Sequence, residues 1–124
     1  MPFIQIDLER KVYEEKGKAL SQGIHQALIE ALDMPVDDYF QVFRPHEEGE
    51  LVYRRTIGGK TRETLIFVRI TMVHMFDVKT KKAMYAAILE KWGALGIAKS
   101  DINICVVENG YEDWYDEYFA GDLS

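Results

Sequence analysis

The first residue able to do chemistry is the second in the chain, Pro2, directly behind the initiator Met1. A residue this small favours removal of the methionine, which leaves Pro2 with a free secondary amine. That amine is a base. Held by the main chain ahead of the strand-like run Phe3-Ile4-Gln5-Ile6-Asp7-Leu8, it is fixed more rigidly than an ammonium on a lysine stem. Burial in an apolar pocket disfavours its charged form and draws its pKa toward the working pH, where general acid–base catalysis is most effective. A structural reading stands beside this one, because proline is tolerated at the first position of a strand, where no ladder donor is needed.

Cations for an anionic ligand come from several places. Arg69 interrupts an otherwise apolar strand, Leu65 to Met72; it either grips an anion or snorkels to the sheet edge or pairs across a subunit interface. Arg54, Arg55 and Arg62 lie on or beside a polar connection, where they either reach over a pocket or solvate the surface. His25 sits beside a helical stripe and His46 in a loop, both read as structural or solvated. No pair of histidines with nearby carboxylates has metal-ligand spacing, so no metal site is expected. Gly58-Gly59-Lys60-Thr61 lacks the leading glycine of a phosphate loop, and no strong helix pattern follows it.

The elements that position these residues show as an internal repeat. Ala31-Leu32-Asp33-Met34-Pro35-Val36-Asp37-Asp38 is echoed, 63 positions on, by Ala94-Leu95-Gly96-Ile97-Ala98-Lys99-Ser100-Asp101. At the same offset the strand opening at Phe3 falls on Leu65–Met72. Each half then reads strand, helix, strand. Val12, Ala19/Leu20, Gly23/Ile24, Ala27/Leu28 and Ala31/Leu32 form an apolar stripe at helical spacing, interrupted by Lys16. Tyr85, Ile88/Leu89, Trp92 and Leu95 form the second stripe, with Asp77 as N-cap and Gly96 to end it. The second strands, Tyr39–Phe43 and Ile102–Val107, each follow a helix long enough for a right-handed parallel crossover. The expected fold is α/β (α+β): two tandem βαβ units forming a four-stranded mixed sheet with both helices on one face, and the other face buried against further subunits. A single domain is expected, with repeat 1 at about 2–44, a hairpin-like excursion at about 45–63 turning at Glu48-Gly49 and Gly58-Gly59, repeat 2 at about 64–108, and a tail at 109–124. Five rings in that tail, Tyr111, Trp114, Tyr115, Tyr118 and Phe119, are expected to pack on a surface.

Composition bounds the partners. With 124 residues, 48% hydrophobic, 29% charged and a net charge of −6, the chain has no basic face for nucleic acid or an anionic membrane. No apolar run approaches the roughly 20 residues of a membrane span, and acidic Asp7 and Glu9 break the layout of a signal peptide, so a cytoplasmic protein is expected. Cys105 is the single cysteine, which excludes an internal disulfide, and its apolar surroundings predict a small buried hydrophobe.

Together, Pro2 opening a βαβ unit, the duplicated chain and the aromatic tail resemble the tautomerase superfamily, with malonate semialdehyde decarboxylase-like proteins as the branch most similar. The motifs that carry the resemblance are Met34-Pro35-Val36-Asp37-Asp38-Tyr39-Phe40-Gln41, Pro45-His46-Glu47-Glu48-Gly49-Glu50, Val107-Glu108-Asn109 with Asp113-Trp114, and Phe119-Ala120-Gly121-Asp122-Leu123. The resemblance implies an amino-terminal proline acting as acid or base on a small keto–enol or unsaturated carboxylate substrate, no metal or organic cofactor, and a homotrimer with sites near subunit interfaces. It also implies that Asp38 orients a water or polarises a carbonyl, although a turn carboxylate at a strand opening reads equally well there. Trp114 aligns with a tryptophan of the branch and either walls the pocket or packs in an interface.

One stretch departs from the pattern. Where decarboxylase-branch relatives carry two arginines just after the third main strand, this chain has His74 and Phe76. Neither supplies a fixed fork of donors for a carboxylate. His74 then either lines the pocket as a donor or partial cation, or is surface. The resulting expectation is a cofactor-free keto–enol tautomerase with Pro2 and Asp38 catalytic and His74, Arg69, Arg55 and Trp114 at the substrate. The alternatives are a decarboxylase or hydratase of a small β-keto or unsaturated acid, and a non-catalytic oligomeric binding or scaffold protein.

Overall fold

Alternation of side chains decides which way the first strand faces. In β1 (Phe3–Glu9) Ile4, Ile6 and Leu8 are buried while the residues between them are only partly so, as a strand with one face on a core requires. The computed structural model describes residues 2–117 and 123–124. α1 (Arg10–Leu32) follows β1 directly and carries the chain to β2 (Phe40–His46), parallel to β1 with Phe3 opposite Phe40. A small hairpin, β3 (Thr56–Ile57) and β4 (Lys60–Thr61), precedes the second unit of β5 (Ile66–Val73), α2 (Val78–Gly93) and β6 (Ile102–Asn109). β5 and β6 are parallel, with Ile66 opposite Ile102. β1 and β5 pair antiparallel, Phe3 opposite Thr71, which sets the strand order β2-β1-β5-β6. This is the mixed sheet expected from the repeat, and both helices pack on one face of it.

The helix layer is held by specific contacts between the two units. Trp92 of α2 is fully buried and its indole N–H donates to the Leu20 carbonyl of α1 at 3.0 Å. Gly23 lies against the same ring; a Cβ there would meet Trp92 at 3.3 Å. Asp77 caps α2 by accepting from the Thr80 N–H at 2.8 Å. At the other end Gly96 takes φ +89°, the Ile97 N–H bonds the Trp92 carbonyl and the Gly96 N–H bonds the Gly93 carbonyl, the pattern of a Schellman stop. Lys16, which interrupts the stripe of α1, reaches across to donate to the Leu95 carbonyl at 2.9 Å. The interruption is therefore a cap for the neighbouring helix.

The excursion turns where its glycines predict. Gly58 and Gly59 both adopt positive φ between the paired Ile57 and Lys60, as a two-residue hairpin turn demands. β2 itself runs three residues beyond the expected Phe43, to His46.

The other face of the sheet carries Phe3, Gln5, Asp7, Phe40, Val42, Arg44, Phe67, Arg69, Asn103, Cys105 and Val107 in facing rows, with Phe40, Val42 and Val107 exposed. Cys105 belongs here and is exposed, not buried. Register explains the difference: Ile102, Ile104 and Val106 take the helix-facing positions of β6, leaving Cys105 to the opposite side. Of the tail rings, Trp114 is half-buried whereas Tyr111 and Tyr115 are exposed. Tyr118 and Phe119, and the motif running from Phe119 to Asp122, lie outside the described residues.

Because Trp92 fills the space between the helices and makes their one buried indole hydrogen bond among the described residues, Trp92→Ala is expected to lower unfolding free energy by about 3–5 kcal/mol. Trp92→Phe, which keeps most of the volume, should cost about 1–2 kcal/mol. Urea denaturation followed by circular dichroism reads both.

Candidate active site

The register gathers one end of the sheet around Pro2. Phe3 pairs Thr71, so Pro2 falls level with Met72, and Met72 in turn pairs Glu108. On the other side Phe3 pairs Phe40, which brings the segment ahead of β2 alongside. Pro2 is buried, in step with Ile4, Ile6 and Leu8 on the helix-facing side. Asp38 arrives through a tight turn in which its N–H bonds the Pro35 carbonyl at 3.1 Å. It is half-buried, with Oδ1 shielded from solvent.

His74 follows the last residue of β5 and is tied to β6 twice: its N–H donates to the Asn109 carbonyl at 2.9 Å, and its ring Nδ1 lies 2.8 Å from Glu108 Oε2. Lys81 of α2 reaches the other oxygen, Oε1, at 2.8 Å. The bond from Lys81, only partly opposed by burial, and that from His74 hold Glu108 below the usual carboxylate range. Trp114 donates its indole N–H to Asn109 Oδ1 at 2.8 Å, so Trp114 and His74 are anchored on the same residue. Phe76 turns into the core and is half-buried against it.

Pro2, Asp38, His74 and Trp114 therefore lie toward the same end of the sheet, whereas Arg69 and Arg55 lie elsewhere in the chain. Arg69 is exposed at the middle of β5, on the open face between Gln5 and Cys105. Arg55 lies toward the opposite end, its guanidinium 4.2 Å over the Tyr53 ring and donating to Tyr53 OH at 2.6 Å. Lys81 and Glu108 are not among the site residues expected from the sequence, although Glu108 belongs to the Val107-Glu108-Asn109 motif. A signal for Glu108 was present: it is a charged residue in step with Ile102, Ile104 and Val106, where an apolar side chain is expected.

Away from Pro2, a cavity of about 480 Å³ opens on the helix-free face, lined in part by Gln5, Asp7, Arg44, Arg69, Asn103 and Cys105. Asp7 there accepts from Arg44 at 2.8 Å and lies 2.7 Å from His46 Nε2. Among the described residues no three His, Cys, Asp or Glu side chains converge as a metal cage. No described helix is long and apolar enough to cross a membrane.

Two family models, both described as tautomerase enzyme, match residues 38–115 and residues 2–54. The chain belongs to the tautomerase family. This tautomerase is an enzyme of the isomerase type, similar to Probable tautomerase YusQ of Bacillus subtilis (strain 168), with 36% identity over 92% of this chain and 91% of that one. It superposes on the FG41 malonate semialdehyde decarboxylase inhibited by 3-bromopropiolate with a TM-score of 0.87 and 28% identity, covering 98% of each chain. A fused 4-OT symmetric trimer shares the fold at 13% identity and a TM-score of 0.75, covering 97% of this tautomerase and 99% of that chain.

On the open face, burial raises the pKa of Asp7, but hydrogen bonds and charge from Arg44 and His46 outweigh it and leave the carboxyl below its ordinary value. A carboxylate with a depressed folded pKa contributes stability above its unfolded value and loses it as pH falls through the folded one. The stability advantage of wild type over Asp7→Asn should thus be fully present above the ordinary carboxylate range and shrink as pH falls through the lowered folded value. Urea unfolding across that range checks it.

Proposed function

We propose that this tautomerase is a cofactor-free keto–enol isomerase in which the amine of Pro2, freed of Met1, is the general acid and base for a small keto acid or unsaturated carboxylate. The observation that carries the reading is the buried Pro2 at the head of central strand β1, at the sheet end where Asp38, His74 and Trp114 also lie. Neutral Pro2 takes the proton from the enol oxygen, or from the carbon beside the ketone, and the prolinium so formed returns it to the other atom. Asp38 polarises the carbonyl or orients a water. His74 donates to the substrate where negative charge develops, and Trp114 walls the site against water.

The assembly that fits this reading is a homotrimer, supported by the apolar residues exposed on the open face, Phe40, Val42 and Val107, and by the trimeric 4-OT neighbour. Arg69 and Arg55 then serve substrate only across an interface, because within their own chain they lie away from Pro2.

Ketonisation of phenylenolpyruvate by wild type and Pro2→Ala tests the chemistry, with intact mass establishing that Met1 is gone. General acid–base catalysis contributes about 10²- to 10⁴-fold, and a loss of that order in kcat/KM is expected; equal rates would sink the reading. A second reading, decarboxylation or hydration of a small β-keto or unsaturated acid, is favoured by the likeness to malonate semialdehyde decarboxylase and opposed by His74 and Phe76 in place of two arginines. Carbon dioxide release from a β-keto acid separates the two.

A further inference from the structure

Arg69 is a cation without a counter-charge at the middle of the sheet. It stands on the helix-free face between Gln5 of β1 and Cys105 of β6, exposed on the wall of the cavity of about 480 Å³. Among the described residues nothing accepts from its guanidinium, and the side-chain amides of Gln5 and Asn103, which line the same cavity, also make no hydrogen bond. We propose that this cavity is a second binding site, on the opposite face of the sheet from Pro2, that takes a small organic monocarboxylate, its head on Arg69 and its body against Phe67 and Leu51.

The cavity has two fixed walls. The sheet supplies one, through Gln5, Arg69 and Cys105 in one row and Arg44, Asp7, Phe67 and Asn103 in the next. The excursion supplies the other. Tyr53 lies edge-on to Phe67 with ring centroids 6.1 Å apart. Its hydroxyl donates to the Glu63 carbonyl at 3.1 Å and accepts from the Leu65 N–H at 3.3 Å. That anchor holds the preceding residues, Glu50, Leu51 and Val52, at the cavity. The enclosed volume falls within the range of small-molecule pockets, about 300–1,000 Å³.

Charge selects the ligand. Asp7 is already satisfied, by Arg44 at 2.8 and 3.2 Å and by His46 Nε2 at 2.7 Å. Glu50 accepts from the Glu47 N–H. These two carboxylates repel an anion charged at both ends, whereas Arg44 offsets Asp7 and leaves Arg69 to meet a single head. A guanidinium presents parallel N–H donors that match a carboxylate at two points, and the amides of Gln5 and Asn103 supply further donors. Phe67 and Leu51 offer apolar surface to the rest of the ligand. The exposed pair Phe40 and Val107 lies in the next row toward Pro2. The surface suited to subunit contact and the cavity thus draw on different rows of the face.

Benzoate titrated into the full chain and followed by NMR tests this. Binding should move the side-chain amide signals of Gln5 and Asn103 saturably. Arg69→Gln should weaken it by about tenfold or more, the loss expected for charge-assisted hydrogen bonds, and Arg69→Lys, which keeps the charge without the fork, should fall between. Asn103→Ala leaves the guanidinium in place and should weaken binding about two- to tenfold, which decides the matter if the Arg69 variants do not fold. Inorganic phosphate at matched ionic strength should bind about tenfold more weakly than benzoate, because it leaves the apolar surface uncovered; equal binding overturns the ligand class. The Pro2→Ala variant should bind benzoate at this face as wild type does, so the result is separate from the acid–base reading. No shift at Gln5 and Asn103, as follows if a partner subunit's carboxylate already fills the guanidinium, overturns the proposal, and so do shifts confined to His74 and Trp114.

Discussion

The antiparallel pairing of β1 with β5 is the constraint on which the arrangement depends. Within each βαβ unit the crossover makes the strand pairs parallel, so both strands of a unit begin at the same end. Joining the units through β1 and β5 reverses one against the other. The start of β1 and the lead-in to β2 thereby meet the finish of β5 and β6. Pro2 and Asp38 come from the first end type, His74, Glu108 and Asn109 from the second. Parallel pairing at the same seam would have sent Pro2 to the end where β5 starts, away from His74.

The helix layer fixes that seam. Trp92 bonded to the Leu20 carbonyl and fitted against Gly23 locks α2 to α1, while Lys16 of α1 closes the end of α2. α2 begins beside the gathered end, and its first turns carry Lys81 to Glu108. A shift of α2 along its axis by one turn, about 5.4 Å, would break that contact. Core packing far from Pro2 therefore sets charge geometry near it.

Much of this was legible in the sequence, for reasons that are local. The repeat of 63 matches the starts of β1 and β5, Phe3 and Ile66; Asp77, Gly96 and Gly58-Gly59 act through their own backbone neighbours, so their roles could be read from short stretches. Residues whose meaning depends on strand register were harder. Cys105 sits in an apolar run, but only the pairing with β5 decides that it faces away from the helices. Arg69 and Arg55 were grouped with Pro2 by residue type, and register puts Arg69 on the opposite face. Lys81 and Glu108 are 27 residues apart in sequence and meet only because a helix packs over the strand.

His74 and Phe76 leave the stretch after β5 without a guanidinium. A guanidinium fork binds a carboxylate at two points, fixes its plane and keeps its charge at any working pH. His74 offers one point and a charge that depends on its surroundings. Phe76 is half-buried and packs against the core. Restoring an arginine at 76 alone would bury a charge among apolar side chains, at a cost that one surface carboxylate does not offset. Glu108 lies on the neighbouring strand, where it meets the His74 ring and the Lys81 ammonium without entering the core.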